Sequence, residues 1–158
     1  MAPEDYIISI FQRDDCKRII RRDLNEITET ATIRDAIDAL RLKWENYVCI
    51  LGENRKLLGI ITERDILQHI AMSTLDEKAP ATSIMTSDFQ TVECSESIAV
   101  IATKIYKNSF KHLPIYDNDK LVGIVSARDF IHYLDDYFAE TVYNVSPGQQ
   151  THNKREGA

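Results

Sequence analysis

The chain is poor in the residues that build metal and redox centres. Its three cysteines, Cys16, Cys49 and Cys94, lie far apart with no C-x-x-C spacing, which excludes the usual zinc and dithiol arrangements and predicts reduced, buried thiols. The four histidines, His69, His112, His132 and His152, show no H-E-x-x-H or comparable ligand spacing, so no metal site is expected. Basic charge is also scarce: 19 Lys and Arg against 25 Asp and Glu give a net charge of -6 and a pI near 5.2. Bulk attraction to nucleic acid or to an anionic membrane is therefore not expected. No apolar run approaches the roughly 18 to 20 residues of a membrane span, and the opening "MAPEDYIISIFQRDDCKRII" lacks a basic stretch followed by a signal core. These absences predict an unexported, cytoplasmic protein.

What is present is a repeat. The 158 residues, 44% of them hydrophobic, suffice for one ordinary domain or two very small ones. "KLLGIITERDILQHI" at 56–70 lies on "KLVGIVSARDFIHYL" at 120–134 with an offset of 64, and Lys, Leu, Gly, Ile, Arg and Asp are identical. Upstream the offset is 65, which lays 18–40 on 83–105 with Ile19 on Ile84, Leu24 on Phe89, Ile27 on Val92 and Ile33 on Ile98. The one-residue difference falls between "VCILGENRKLLG" and "LPIYDNDKLVG", where a hairpin turn absorbs an insertion at little cost.

Periodicity assigns the elements. Ile33, Ala36, Ile37 and Leu40, and then Ile98, Ile101, Ala102 and Ile105, follow the spacing of an apolar helix face. "YVCIL" with "LLGII", and "HLPIY" with "LVGIV", read as hairpins, each followed at once by a helix from Thr62 or Ser126. The prediction is an α/β (α+β) fold of two β-α-β-β-α units, at 16–75 and 81–136. They are flanked by an N-terminal extension at 1–15, a linker at 76–80 and a flexible tail at 137–158. Units this small are marginal alone, so the two are expected to pack together.

Each unit closes with a strand that ends at a hydroxyl residue and a helix whose first turn holds Arg-Asp: Thr62, Arg64 and Asp65, then Ser126, Arg128 and Asp129. One reading is a capping box, Thr62 with Asp65 and Ser126 with Asp129, although Glu or Gln is the usual partner and Asp reaches less far. A second reading starts from the two arginines, because the helix dipole disfavours a cation in the first turn. A bound anion offsets that penalty: free N–H groups, a hydroxyl and a guanidinium make a phosphate site. An Asp one turn along then suits ribose hydroxyls.

With "GIITERD", "GIVSARD", "SIMTSDFQTV" and "KHLPIYDNDKLVGIV" in place, the chain resembles a tandem pair of CBS (cystathionine β-synthase) domains, a Bateman module, over about residues 16 to 136. The resemblance implies two repeats packed with pseudo-two-fold symmetry and two clefts between them. Such clefts take AMP, ADP, ATP or S-adenosylmethionine, with Mg only alongside ATP. It further implies a stand-alone regulatory module that signals to a protein partner, forms a homodimer and is not an enzyme. Carried onto this sequence, the ribose-binding Asp falls on Asp65 and Asp129, the phosphate-side hydroxyl on Thr62 and Ser126, and a phosphate-proximal cation on Arg64 and Arg128. The segment that enters a cleft falls on Ile84, Met85 and Thr86 in the second copy and on Ile19, Ile20 and Arg21 in the first. His112 either lines a cleft or is a strand residue at the hairpin start.

The first copy departs from the pattern, since Arg21 and Arg22 replace the common Met-Thr and its small or polar successor. Lys17, Arg18, Arg21 and Arg22 share one face if the segment is helical. They form either a solvated face or a second cation for a polyphosphate; as a nucleic-acid footprint four charges are few. No general base, nucleophile or metal constellation for catalysis stands out. The alternative to a ligand sensor is a structural or dimerisation module without ligand. Tyr6, Ile7, Ile8, Ile10 and Phe11 then form a stretch that docks on a partner, or else covers the module's own core.

Overall fold

A computed structural model describes Ser9 and residues 11–43, 45–107 and 111–145, with side chains up to residue 139. Strand β1 (Glu26–Thr28), helix α1 (Ile33–Lys43), strands β2 (Tyr47–Leu51) and β3 (Leu57–Thr62) and helix α2 (Glu63–Ala71) form the first repeat. Strand β4 (Val92–Glu93), helix α3 (Ile98–Lys107), strands β5 (His112–Asp117) and β6 (Lys120–Ser126) and helix α4 (Ala127–Val145) form the second. The predicted β-α-β-β-α order therefore holds twice. Each repeat carries a three-stranded sheet, β1-β2-β3 or β4-β5-β6, whose first pair is parallel and second antiparallel.

Alternation along β2 shows why the repeats need each other. All five of its residues are buried, and successive side chains point to opposite faces of a strand. Val48 and Ile50 pack with Ile33, Ala36 and Leu40 of α1. Tyr47, Cys49 and Leu51 pack with Leu57, Ile60 and, from the second repeat, Ile124. A single repeat would leave that second face in water. The hairpins differ as the change of offset requires: Leu51 pairs with Leu57 across 52–56, and Tyr116 with Leu121 across 117–120. Asn118 and Asp119 take left-handed φ of 48° and 66° in the shorter turn, a conformation that Asn and Asp tolerate better than most residues.

The leading segments are exchanged. Cys16 and Ile19, which begin the first repeat in sequence, pack in the core of the second with Val92, Ile98, Leu113 and Tyr133. Ala81, Ile84 and Met85, which begin the second, pack against Ile33, Ile50 and Ile61 of the first. Two matching backbone bridges fix the exchange. Arg21 N–H donates to Ile124 O and Ile124 N–H to Arg21 O, both at 3.0 Å, while Thr86 N–H donates to Ile60 O at 2.9 Å and Ile60 N–H to Thr86 O at 3.0 Å. The repeated glycines lie beneath these crossings. A Cβ on Gly59 would sit 2.5 Å from Met85 Sδ, and one on Gly123 would sit 2.5 Å from Arg21 O. At Gly123, where the neighbour is backbone, only a residue without a side chain admits so close an approach.

Two expectations change and two readings gain detail. The stretch around Lys17 to Arg22 is not one helix: a 3-10 turn spans Cys16–Arg18, and Arg21 lies in a bridge with Ile124, because Ile19 and Ile20 turn inward to the core. Helix α4 runs on through 137–145, since Phe130, Tyr133 and Tyr137 continue one face onto the second core. The remainder of the expected flexible tail, 146–158, lies outside the described residues. The linker is also tied down, for the carbonyls of Ala79 and Glu77 accept the otherwise free N–H groups of Ile33 and Arg34 at 2.9 Å each. In the N-terminal stretch, Phe11 covers the module's own core, 5.7 Å from Phe130 and 6.0 Å from Tyr133 by ring centroids. Tyr6, Ile7, Ile8 and Ile10 lie outside the described residues.

Candidate functional site

The exchange makes each strand-helix junction face the leading segment of the other repeat. At the β3-α2 junction this encloses a cleft of about 470 Å³, within the roughly 300–1,000 Å³ typical of small-molecule sites. Thr62, Arg64 and Asp65 come from the junction, Thr86 from the crossing segment and His112 from the start of β5. Five residues singled out in the sequence thus meet in one place, although they span 51 positions of the chain. Ile84 and Met85 do not line this cleft with them but pack into the first core.

Asp65 has two different oxygens. Oδ2 accepts the backbone N–H and the hydroxyl of Thr62, both at 2.7 Å. Oδ1 has no hydrogen-bond partner among the described residues. Asp therefore does reach as a capping-box residue, contrary to the reach argument, and it does so at three helix starts: Thr32 with Asp35, Thr62 with Asp65, and Ser126 with Asp129. The cap engages one oxygen and leaves the other unengaged on a residue that lines the cleft. The Thr62 hydroxyl donates to Asp65, so only its lone pairs face a ligand unless it turns.

Charge at the rim is mixed. Arg64 and Lys111 line the cleft as exposed cations without an ion pair among the described residues, and Glu63 joins them. The apolar lining comes from buried Ile60, half-buried Phe89 and, at the exposed rim, Leu67. His112 is buried, its ring 4.9 Å from Tyr47, the residue at the matching place in the first repeat. Its Nε2 lies 3.0 Å from Asn46 Oδ1, which can only accept, so the proton resides on Nε2. Burial pushes this imidazole down to about 4, and the charges of Arg21 and Lys111 act in the same direction against the opposing pull of Asp129. The histidine is neutral at pH 7. Asn46, Lys111 and Phe89 were not anticipated; their signal was positional, since Asn46 precedes β2 as Lys111 precedes β5.

The junction between β6 and α4 has the same parts in another state. Asp129 Oδ2 accepts from Ser126 N–H at 2.7 Å and from its hydroxyl at 2.6 Å. Here Oδ1 is engaged as well, because Arg21 Nε lies 2.8 Å away. That contact is an ion pair whose N–H is not aligned for a hydrogen bond. The other guanidinium nitrogens form a two-pronged pair with Glu45, Nη2 reaching Oε2 at 3.0 Å. Arg128 is exposed and makes no ion pair among the described residues.

A family model described as CBS domain matches residues 16–72 and 81–136. The chain belongs to the CBS-domain family. Its relatives include an uncharacterized protein of Methanocaldococcus jannaschii, 28% identical over 118 residues, or 75% of this chain. A homoserine O-acetyltransferase of Methanococcus vannielii is 30% identical over 131 residues, 82% of this chain. The chain spans 42% and 27% of the lengths of these two relatives. Among solved structures, a CBS domain protein from Pyrobaculum aerophilum complexed with AMP superposes with a TM-score of 0.69 at 27% identity, covering 79% of this chain and 98% of that one. The CBS domain pair of protein MJ0100, in complex with 5'-methylthioadenosine and S-adenosyl-L-methionine, gives 0.70 at 26% identity and covers 78% and 97%. The CBS pair is a regulatory module, and no helix among the described residues is long and apolar enough to cross a membrane.

Proposed function

We propose that the chain senses an adenosyl ligand of the AMP, ADP, ATP or S-adenosylmethionine class in the cleft at Thr62 and Asp65 and passes its occupancy to a protein partner. The observation that carries this reading is the unengaged Oδ1 of Asp65, held in place by the Thr62 bonds to Oδ2 and directed by the start of α2. A ribose offers two adjacent hydroxyls to that oxygen. Its phosphates then meet the N–H groups of α2, Arg64 and Lys111, and its base meets Ile60, Phe89 and His112. Magnesium enters only with a triphosphate, which brings its own oxygen ligands. The complexes with AMP and with S-adenosyl-L-methionine formed by similar CBS pairs support the ligand class.

Signalling follows from the exchange of segments. A ligand held by Thr62 and Asp65 of the first repeat and beside Thr86 of the second favours one arrangement of the two, and it shifts the population by its difference in affinity for them. Titration calorimetry with AMP, ADP, ATP and S-adenosylmethionine tests the reading. Saturable binding by the native chain that disappears in Asp65→Ala supports it, and equal affinity in that variant refutes it.

A homodimer is the assembly we expect. Leu67 and Ile131 occupy matching places on α2 and α4 and are 63% and 64% exposed, two apolar side chains presented alike by both repeats. This pair also favours the second reading, a dimerisation module without ligand. Sedimentation of the native chain and of Ile131→Glu separates the two questions, since loss of the dimer in the variant leaves the calorimetric result to decide on the ligand.

A further inference from the structure

The two clefts are built from corresponding positions and are not equivalent. Opposite Asp65, the leading segment of the second repeat presents Thr86. Opposite Asp129, the leading segment of the first presents Arg21 at the corresponding place, and both segments are held by the same two-way backbone bridge, to Ile60 and to Ile124. A threonine leaves the Asp65 Oδ1 without a partner. The arginine fills that position at Asp129, with Nε 2.8 Å from Oδ1, while Glu45 holds the far end of the guanidinium. The triad is largely out of solvent, with side-chain exposures of 29% for Arg21, 20% for Glu45 and 8% for Asp129.

We propose that Arg21 stands in the second cleft where the ribose of a ligand would bind, so that the chain takes one adenosyl ligand, beside Asp65, and keeps the other cleft closed with its own side chain. The inference rests on the adenosyl reading given above. Both oxygens of Asp129 are engaged, so ribose hydroxyls gain a partner there only by breaking the ion pair. Breaking it leaves a buried carboxylate without its cation. A loss of that kind weakens binding by roughly a hundredfold or more relative to a free Asp. The bridge to Ile124 fixes the Arg21 backbone, with Gly123 against its carbonyl, and Glu45 holds the far end of its guanidinium. Arg21 is therefore a specificity-determining residue that acts by exclusion, and it does not supply a cation to a bound polyphosphate.

Calorimetric stoichiometry with AMP and with S-adenosylmethionine tests this. The native chain is expected to bind one ligand per chain, lost in Asp65→Ala and kept in Asp129→Ala. Arg21→Thr, which copies Thr86, is expected to bind two, the added one lost when Asp129→Ala is combined with it. Because this change leaves two carboxylates unpaired, Arg21→Thr with Glu45→Gln serves as the second variant, with folding checked by circular dichroism. Two ligands on the native chain or one site persisting in folded Arg21→Thr would each overturn the proposal while leaving the adenosyl reading intact, whereas a single site lost in Asp129→Ala and kept in Asp65→Ala would overturn both the proposal and the placing of the ligand at Asp65. Absence of binding in every protein overturns the adenosyl reading, and the count falls with it.

Discussion

Gly123 and the carbonyl oxygen of Arg21 are so close that a methyl group on the glycine would lie 2.5 Å from that oxygen. At the matching place in the first repeat, a methyl on Gly59 would meet Met85 Sδ at 2.5 Å and Cγ at 2.6 Å. One obstacle is backbone and the other a flexible side chain. Gly123→Ala is therefore expected to lose stability by about 1–3 kcal/mol, in the range for overpacking, and to lose more than Gly59→Ala, where Met85 can turn aside. Urea unfolding of the two variants checks the order, and equal midpoints would show that the Arg21 crossing yields as readily as Met85.

The neutral His112 predicts a pH dependence. Its folded value near 4 lies below the ordinary 6.5, so the unfolded chain binds this proton more readily than the folded one. Its contribution is fully present above about pH 6.5 and is lost as pH falls toward 4, an effect on the order of 3 kcal/mol in all. Unfolding midpoints at pH 7 and pH 4.5 should fall further for the native protein than for His112→Gln. The same fall in both would assign the acid sensitivity to carboxylates alone.

Cysteine chemistry is expected to be silent in the folded chain. Burial pushes the Cys16 and Cys49 thiols up to about 12, and for Cys16 the neighbouring Cys94, with Sγ 3.1 Å away, adds to the effect. Thiolate is the reactive form, so alkylation by iodoacetamide at pH 7.5 should proceed only as fast as the protein opens. In denaturant all three thiols should react quickly. Rapid labelling of Cys16 in the native state would mean that the leading segment detaches from the second core on its own.

Much of the fold was legible because the chain states it twice. The change of offset from 64 to 65 located the longer hairpin, and the helix faces at 33–40 and 98–105 kept their period. The exchange of leading segments was not legible, since Ile19 and Ile84 have the same apolar character whichever core receives them. Spacing also misread Lys17 to Arg22, where four cations at helical intervals do not form a helix once Ile19 is buried and Ile20 half-buried. At the site, Thr62, Arg64 and Asp65 were visible as a local motif. The partners of Arg21 were not, because Glu45 and Asp129 are brought to it by tertiary packing from 24 and 108 residues away. Tyr137 did carry a signal, seven residues beyond Phe130 on the same helix face, which a tail rich in polar residues obscured.

The central claim is that Asp65 holds the ribose of an adenosyl ligand through the oxygen that Thr62 leaves unengaged. The most direct measurement is the titration of the native chain and of Asp65→Ala with AMP by calorimetry, both folded and free of carried-over nucleotide. The account predicts saturable binding at one site per chain in the native protein and its loss in the variant. Binding of unchanged affinity in Asp65→Ala would contradict it.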